Sequence, residues 1–302
     1  VENALNKSKD KPHSKASNYK DLTGIEALET VYEVDQSPIG KTSRSTPATY
    51  LGILDALRTL FASTSLARIR GYSPSRFSFN TEGGRCETCS GQGTIKIEMS
   101  FLPSAHVTCS DCHGKRYNPA TLEVLYNGKS IADILLMPIE EASTFFASHT
   151  SIARSLKLLC DTGLGYLTLG QPSQTLSGGE AQRLKLVSEL TRGVGRSETA
   201  KIRKGKTTKS ILYCLEEPTI GLHQADVRQL IEVLHRLTNE GHTIVVIEHH
   251  TSLIAEADYL IELGPEAGIN GGTIIATGPP ESVVLVPESR IAPFISPLLS
   301  SP

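Results

Sequence analysis

Four of the six cysteines form two C-x-x-C pairs, a spacing that is typical of metal sites. Cys86 and Cys89 make the first pair, and Cys109 and Cys112 make the second after an interval of nineteen residues. Four thiolates complete the tetrahedral shell that structural Zn²⁺ prefers. We therefore expect a closed, structural zinc site with four cysteine ligands, with a redox-active C-x-x-C pair as the alternative.

Two adjacent carboxylates, Glu216 and Glu217, follow the apolar stretch ILYCL (211–215). This pattern resembles a Walker B motif, in which one acid at the end of a strand coordinates Mg²⁺ and the next acts as general base for the attacking water. In that register Glu217 is the catalytic base. Glu216 stands where aspartate is typical, and its longer side chain is expected to disturb the strict geometry of Mg²⁺. A solvated acidic strand end is the alternative.

The octapeptide LSGGEAQR (176–183) combines glycines with the pattern of a helix start. Ser177 and Glu180 have capping-box spacing, while Gly178 and Gly179 expose backbone N–H groups where the helix dipole attracts anions. A simple capped helix would show the same spacing. As a whole, however, the octapeptide resembles the signature motif of ABC-type ATPases, so we expect these four residues to contact a nucleotide.

The stretch TIVVIEHH (243–250) places two histidines directly after an apolar run. In ABC-type ATPases, a histidine after the strand that follows Walker B senses the γ-phosphate, and His249 fits that position. A lone histidine after a strand is usually structural. The order of signature, acidic pair and histidine favours the functional interpretation for His249 and leaves His250 unassigned.

The stretch VDQSPIGKTSRS (34–45) contains the triplet GKT, with which a phosphate-binding P-loop ends. A P-loop requires G-x-x-x-x-G-K-[ST], but Asp35 occupies the position of its first glycine. Pro38 also removes one of the N–H groups that would cradle phosphate. A second GKT triplet at 205–207 fails because Ala200 stands in the glycine position. We expect neither triplet to bind nucleotide.

Composition limits the classes of protein to consider. The chain has 302 residues and a net charge of −2, and it contains no apolar run long enough to span a membrane. Its lysine-rich start lacks the apolar stretch of a secretory signal, and a first residue of Val rather than Met indicates a fragment. The chain is not basic overall, but residues 41–85 carry seven basic and two acidic side chains, a local charge of +5.

Hydrophobic periodicity predicts an α/β fold. Residues 211–249 are predicted to form a strand, a helix and a strand, which at this length is a βαβ unit with two buried, parallel strands. Between the cysteine pairs, alternating apolar residues predict a half-buried strand. Further elements are expected at 27–34 (an edge strand), 50–62 and 139–160 (helices), and 258–264 and 271–278 (short strands).

Composition and motif order predict four parts along the chain. Residues 1–22 are expected to be a flexible segment, and 23–62 a portion of an ATP-binding core. Residues 63–190 are expected to form an inserted signature subdomain that carries a zinc module at about 83–116. Residues 191–302 would return to the ATP-binding core.

Several longer stretches, in their order along the chain, resemble the C-terminal half of the UvrA family, which belongs to the bacterial nucleotide excision repair system. The resemblance runs from about residue 24 to at least residue 283. It is specific because few families place a four-cysteine module between a glutamine loop and an ABC signature. The matching stretches are DQSPIGKTSRSTPATYLG, RFSFNTEGGRCETC, CHGKRYNPATLEV, LGQPSQTLSGGEAQRLKL, VIEHH and IELGPEAG.

The resemblance implies a modified ABC-type ATPase fold in a cytoplasmic dimer that binds damaged double-stranded DNA, uses ATP with Mg²⁺, and loads UvrB. By motif, Gln36 becomes the glutamine-loop residue, which links nucleotide state to the signature subdomain. Arg76 and Arg85 border the zinc module and are candidates for contacts with DNA phosphates, which provide affinity without reading sequence.

Because no complete P-loop is present, we expect that the chain does not hydrolyse ATP alone and that another nucleotide-binding domain or protomer supplies the P-loop of a shared site. One alternative is a non-catalytic, zinc-containing DNA-binding fragment of a split or degenerate UvrA. A transport ATPase is a second alternative. A zinc-dependent chaperone or thiol redox protein is a third, since CETCSGQG also resembles the zinc repeats of DnaJ-type chaperones.

Overall fold

A computed structural model of the chain describes residues 23–40, 42–99, 102–200, 210–266 and 271–299. The predicted flexible segment, 1–22, and Lys41 of the first GKT triplet lie outside the described residues. The strands are β1 (Leu28–Val34), β2 (Thr94–Met99), β3 (Leu102–Thr108), β4 (Leu125–Tyr126), β5 (Lys129–Ser130), β6 (Ser210–Glu216), β7 (Thr243–Ile247), β8 (Leu260–Gly264) and β9 (Thr273–Gly278).

The helices are mostly short, and the longest begins at the signature octapeptide. They are α1 (Pro47–Tyr50), α2 (Ile53–Ala62), α3 (Ser65–Ile69), α4 (Pro119–Leu122), α5 (Ile131–Leu136), α6 (Ile139–Phe145), α7 (Thr150–Asp161), α8 (Gly178–Ala200), α9 (Gln224–Asn239), α10 (Thr251–Ala255), α11 (Pro280–Val283) and α12 (Ala292–Leu299). Short 3-10 turns occur at Ile25–Ala27, Pro74–Phe77 and Ser173–Thr175.

The described residues fall into two compact units. Those within 1–35 and 207–302 form what we call the sheet unit, and those within 36–206 form the helical unit. The four-part division predicted from the sequence stays a prediction.

The sheet unit contains the predicted βαβ arrangement. Its three strands are parallel in the order β1-β6-β7, so β1 lies at an edge as expected. The helix α9 packs against β7 and buries one apolar stripe, because its apolar residues recur at helical spacing. A separate antiparallel pair, β8 and β9, matches the two short strands predicted near the end of the chain.

The last strand of this sheet corrects one prediction. We expected β7 to be buried, but Val245 and Ile247 are 52% and 61% exposed. Side chains alternate between the two faces of a strand, and among the described residues only one face of β7 is covered. An apolar run therefore identified the strand correctly but overestimated its burial.

The helical unit is organised around aromatic and leucine side chains. Leu57 and Phe61 on α2 are fully buried, as are Phe146 and Leu156. The helix α7 packs against α2, α6 and α8, which connects this core to the signature helix. The region predicted to be helical at 139–160 consists of two helices, α6 and α7, which are separated around His149.

The hairpin between the cysteine pairs also differs from expectation. The strands β2 and β3 are antiparallel, and Ile95 pairs with Val107. The alternation predicted a half-buried strand, yet Ile95, Ile97 and Val107 are 37%, 47% and 49% exposed. Local alternation shows that one face is apolar, but it cannot show whether another element covers that face.

Candidate functional site

The signature helix α8 starts with the capping box that its sequence predicts. The backbone N–H of Ser177 donates to Glu180 Oε2 at 2.6 Å, and the N–H of Glu180 donates to Ser177 Oγ at 3.3 Å. The hydroxyl of Tyr166 donates to the other carboxylate oxygen, Oε1. Burial alone would raise the pKa of Glu180, but the hydrogen bonds from Tyr166 and Ser177 lower it. The first turn of α8 is therefore held by an ionised carboxylate.

Gln36 lies directly against this helix start. A methyl group on Gly178 would lie 3.2 Å from both Cβ and Oε1 of Gln36, so the glycine permits the close approach. One residue further on, Ser37 Oγ accepts a hydrogen bond from Lys185 Nζ at 2.7 Å. The structure thus brings together Gln36 and Gly178 of the signature, although the roles of the signature residues and Gln36 in nucleotide binding stay predictions.

In the sheet unit, Glu217 and His249 meet at the ends of neighbouring strands. Glu217 Oε1 lies 3.1 Å from His249 Nε2. The backbone of Glu217 is in the left-handed region, with φ of 44°, and its N–H donates to the carbonyl of Ile247 at 2.8 Å. A non-glycine residue in this region is uncommon, and such conformations concentrate at functional sites. Glu216 ends β6 with an exposed side chain.

These two residues border a shallow depression of about 310 Å³. The His249 side chain is 83% exposed and that of Glu217 is 34% exposed, so both can be reached from solvent. A carboxylate beside an imidazole provides a proton acceptor next to a group that can donate to an anion. The lining residues are Glu217, Thr219, Ile220, Glu248, His249 and His250.

Sequence reasoning missed Glu248, which connects the loops after β6 and β7. Its Oε1 accepts from the backbone N–H of Thr219 at 2.9 Å and from the Thr219 hydroxyl. Its Oε2 accepts from the N–H groups of His249 and His250 at 2.6 and 2.9 Å. The only sequence signal was a carboxylate between an apolar strand and a histidine pair.

The pKa of Glu248 shows that its ionised form is favoured. Burial acts to raise this pKa, but the hydrogen bonds from Thr219, His250 and His249 together bring it below the ordinary value of 4.5. Stability from a carboxylate with a depressed pKa is present above the ordinary value and is lost as the pH falls through the folded-state value.

Replacing Glu248 with Gln should therefore lower the free energy of unfolding at neutral pH and flatten its acid dependence. In glutamine an NH2 group replaces one of the two carboxylate oxygens, so it would face N–H donors and could not accept their hydrogen bonds. Chemical denaturation of both proteins between neutral pH and about pH 3 tests this, and the difference between them should shrink as the pH falls. Glu256→Gln is the control, because the Glu256 carboxylate forms an exposed pair with His235. A difference independent of pH would contradict the assignment.

The four predicted ligand cysteines form one buried cluster. All four Sγ atoms lie within 4.8 Å of one another. Cys86 and Cys109 are separated by 3.9 Å between sulfurs, and Cys89 and Cys112 by 3.6 Å. Tetrahedral Zn²⁺ with Zn–S bonds of about 2.3 Å requires sulfur separations of about 3.8 Å. The arrangement therefore fits a closed structural zinc site.

The surroundings of the cluster also suit a metal. Burial raises the pKa of Cys89, and it raises the pKa of Cys112 to about 12. Burial thus disfavours the thiolate form of these two sulfurs, and a divalent metal would supply the positive charge that compensates for it. The N–H of Gly93 donates to Cys89 Sγ at 3.3 Å, which stabilises the sulfur as a ligand.

The two arginines proposed for DNA contact already have partners within the chain. Arg76 donates to Thr121 Oγ1 at 2.9 Å and stacks on the ring of Tyr72 at 4.5 Å. Arg85 contacts Glu82 at 3.2 Å and Glu87 at 3.6 Å. These contacts hold the border of the zinc module, and a role in binding DNA stays a prediction.

In the described part of the chain, no helix has both the length and the apolar character needed to cross a membrane.

Comparison with known proteins gives long, high-identity matches, although no family model matches the chain. UvrABC system protein A of Micrococcus luteus is 53% identical over 282 residues, 93% of this chain and 27% of that protein. The Bacillus subtilis protein of the same name is 50% identical over 295 residues, 98% of this chain and 29% of the relative. The chain therefore spans about three tenths of the length of these curated relatives.

One solved structure is similar to most of the chain. UvrA2 from Deinococcus radiodurans superposes with a TM-score of 0.80 and 46% identity, over 91% of this chain and 32% of that protein. The similarity includes the mixed α/β architecture with its parallel sheet.

Proposed function

Because the chain belongs to the UvrA family, we propose that it provides the signature helix and the catalytic strand ends of an ATP-dependent DNA-damage recognition subunit in nucleotide excision repair. The observation that carries this proposal is the contact between Glu217 and His249 at 3.1 Å. A general base and a γ-phosphate sensor must reach the same phosphate from neighbouring strand ends, and the contact between these two side chains supports such roles for them.

The proposed nucleotide site is shared with another nucleotide-binding domain. The sequence has three GK[ST] triplets, which begin at Gly40, Gly128 and Gly205, and none has a glycine five positions earlier. The phosphate cradle would thus lie outside these 302 residues; we propose a second domain or protomer as its source, so that this chain would not hydrolyse ATP alone. Glu216 would hold Mg²⁺, and Ser177 with the signature glycines would contact the nucleotide across the shared site.

The proposed partners follow from the family. They are damaged double-stranded DNA, UvrB, and a second UvrA nucleotide-binding domain or protomer, in the cytoplasm. The local charge of +5 over residues 41–85 supports binding to phosphates of any sequence. Zn²⁺ at the four cysteines would be structural, because a closed set of four thiolate ligands leaves no position for substrate.

A chimeric protein tests the proposal. This chain would replace the matching segment of the Bacillus subtilis relative, so that the rest of that protein supplies what this chain lacks. We expect the isolated chain to show no ATP turnover above background, whereas the chimera turns over ATP and prefers damaged over intact duplex in a filter-binding assay. If the isolated chain turned over ATP and Glu217→Gln abolished that turnover, the proposal of a shared nucleotide site would be overturned.

One alternative has its own outcome in the same experiment. A non-catalytic, zinc-containing DNA-binding fragment would retain zinc and bind duplex, while the chimera would show no ATP turnover and no nucleotide binding. That result would favour the alternative, because Glu217 and His249 would then have no bound nucleotide on which to act.

A further inference from the structure

Arg116, four residues after the last cysteine of the cluster, is a buried cation without a carboxylate partner among the described residues. The residue is only 7% exposed, and burial lowers the pKa of its guanidinium. A buried charge is costly unless charged or polar groups compensate it. The contacts of Arg116 therefore indicate its structural role.

The guanidinium joins two loops that are far apart in the sequence. Nη1 donates to the carbonyl of Ser43 at 2.9 Å, and Nη2 donates to the carbonyl of Gly170 at 3.1 Å. The planar group also lies over the ring of Phe79, with 4.9 Å from Cζ to the ring centre. These contacts place the planar guanidinium between the segment after Gln36 and the loop before the signature.

The two loops are also bonded directly to each other. The N–H of Ala48 donates to the carbonyl of Leu169 at 3.0 Å, and the N–H of Ser173 donates to the carbonyl of Ser45 at 2.8 Å. We call residues 42–48 and 168–173 the paired loops. The first loop follows Gln36 and the second leads into α8, so their pairing helps to set the distance between Gln36 and the signature.

The backbone of Arg116 is held by the metal-binding cysteines. Its carbonyl accepts from the N–H of Cys86 at 2.8 Å. A hydrogen bond from its backbone to Cys112 lowers the pKa of that thiol, whereas burial raises it. Arg116 also has a φ of 69°, an uncommon conformation for a residue with a side chain. Such a conformation persists only when surrounding contacts impose it, and here two of those contacts come from ligand residues.

We propose that Arg116 couples the metal state of the four-cysteine centre to the paired loops beside the signature helix. Four thiolates and one Zn²⁺ carry a net charge of −2, which offsets the buried guanidinium. Loss of metal removes both that charge and the constraint on the Arg116 backbone, so the guanidinium loses its fixed position between Ser43 and Gly170. The coupling between the metal centre and the paired loops does not depend on the proposed function. Only its effect on nucleotide binding rests on that function.

Amide hydrogen exchange of the full chain tests the coupling without nucleotide or DNA. The reporters are the N–H groups of Ala48 and Ser173, which bond across the paired loops. Removing zinc with a chelator should speed their exchange at least about tenfold, the factor expected for losing one hydrogen bond to a charged group. Arg116→Met with zinc bound should give a similar increase, and Arg116→Lys a smaller one, because an ammonium lacks the two-pronged geometry of the guanidinium.

Arg58→Met is the matched control, since Arg58 also donates to a backbone carbonyl, that of Pro74, but contacts neither paired loop. Zinc content is measured for every variant. Unchanged exchange of Ala48 and Ser173 after zinc removal from the unmodified chain would overturn the proposal, whether or not the Arg116 variants fold. Equal effects of Arg58→Met and Arg116→Met would also overturn it. Failure of the chimera to bind ATP would instead contradict only the proposed function.

Discussion

Replacing Glu217 with Gln should reduce ATP turnover of the chimera by about a hundred- to ten-thousand-fold, the usual contribution of a positioned general base. An amide has nearly the same shape as the carboxylate but cannot take a proton from water. Because the N–H of Glu217 donates to the carbonyl of Ile247, the substitution should leave the backbone at this position unchanged. Nucleotide affinity should therefore be retained while the chemical step is lost.

Steady-state turnover and equilibrium nucleotide binding, measured on the same preparations, separate these two effects. Glu240→Gln is the matched control, since Glu240 is an exposed residue at the C-terminal end of α9, away from the strand ends. A parallel variant, Glu216→Gln, should instead raise the Mg²⁺ concentration needed for half-maximal turnover. If Glu217→Gln weakens binding and leaves turnover at saturation unchanged, Glu217 is not the base.

Removing the metal from the four-cysteine centre should unfold the module around it. Structural zinc in small domains contributes an apparent stabilisation of roughly 10–16 kcal/mol near neutral pH, which exceeds what a few short elements can supply by packing. We expect about one zinc ion per chain and a buried set of four unreactive thiols. Cys109→Ser should lose the metal and make the three remaining ligand cysteines reactive toward a thiol reagent.

Cys160→Ser is the control for this experiment, because Cys160 is a partly buried thiol outside the cluster. This variant should keep its zinc and the protection of the four ligands. Metal analysis and mass spectrometry after thiol labelling measure both properties. Four reactive cysteines and no zinc in the unmodified chain would contradict the structural zinc site and favour thiol redox chemistry.

Local chemistry and periodicity were sufficient to predict several local features that the structure shows. The two C-x-x-C pairs indicated four candidate ligands, whose sulfur atoms the structure gathers within 4.8 Å, and the spacing of Ser177 and Glu180 predicted a capping box that is present. The strand, helix and strand of residues 211–249 were recognised for the same reason. In each case the determining interactions act within a few residues or follow a repeating pattern.

The tertiary structure determined which distant residues are in contact and which strand faces are buried, and local patterns do not specify either. Arg116 bonds to Ser43 across 73 positions in the chain, and Glu248 accepts two hydrogen bonds from Thr219 across 29 positions. The apolar faces of β2 and β7 are exposed because burial depends on which distant elements cover a strand. The sequence by itself thus determined the types of chemical group and their local elements. Only the path of the chain through space determined their partners, because contacts between distant residues depend on side-chain direction and packing rather than on spacing.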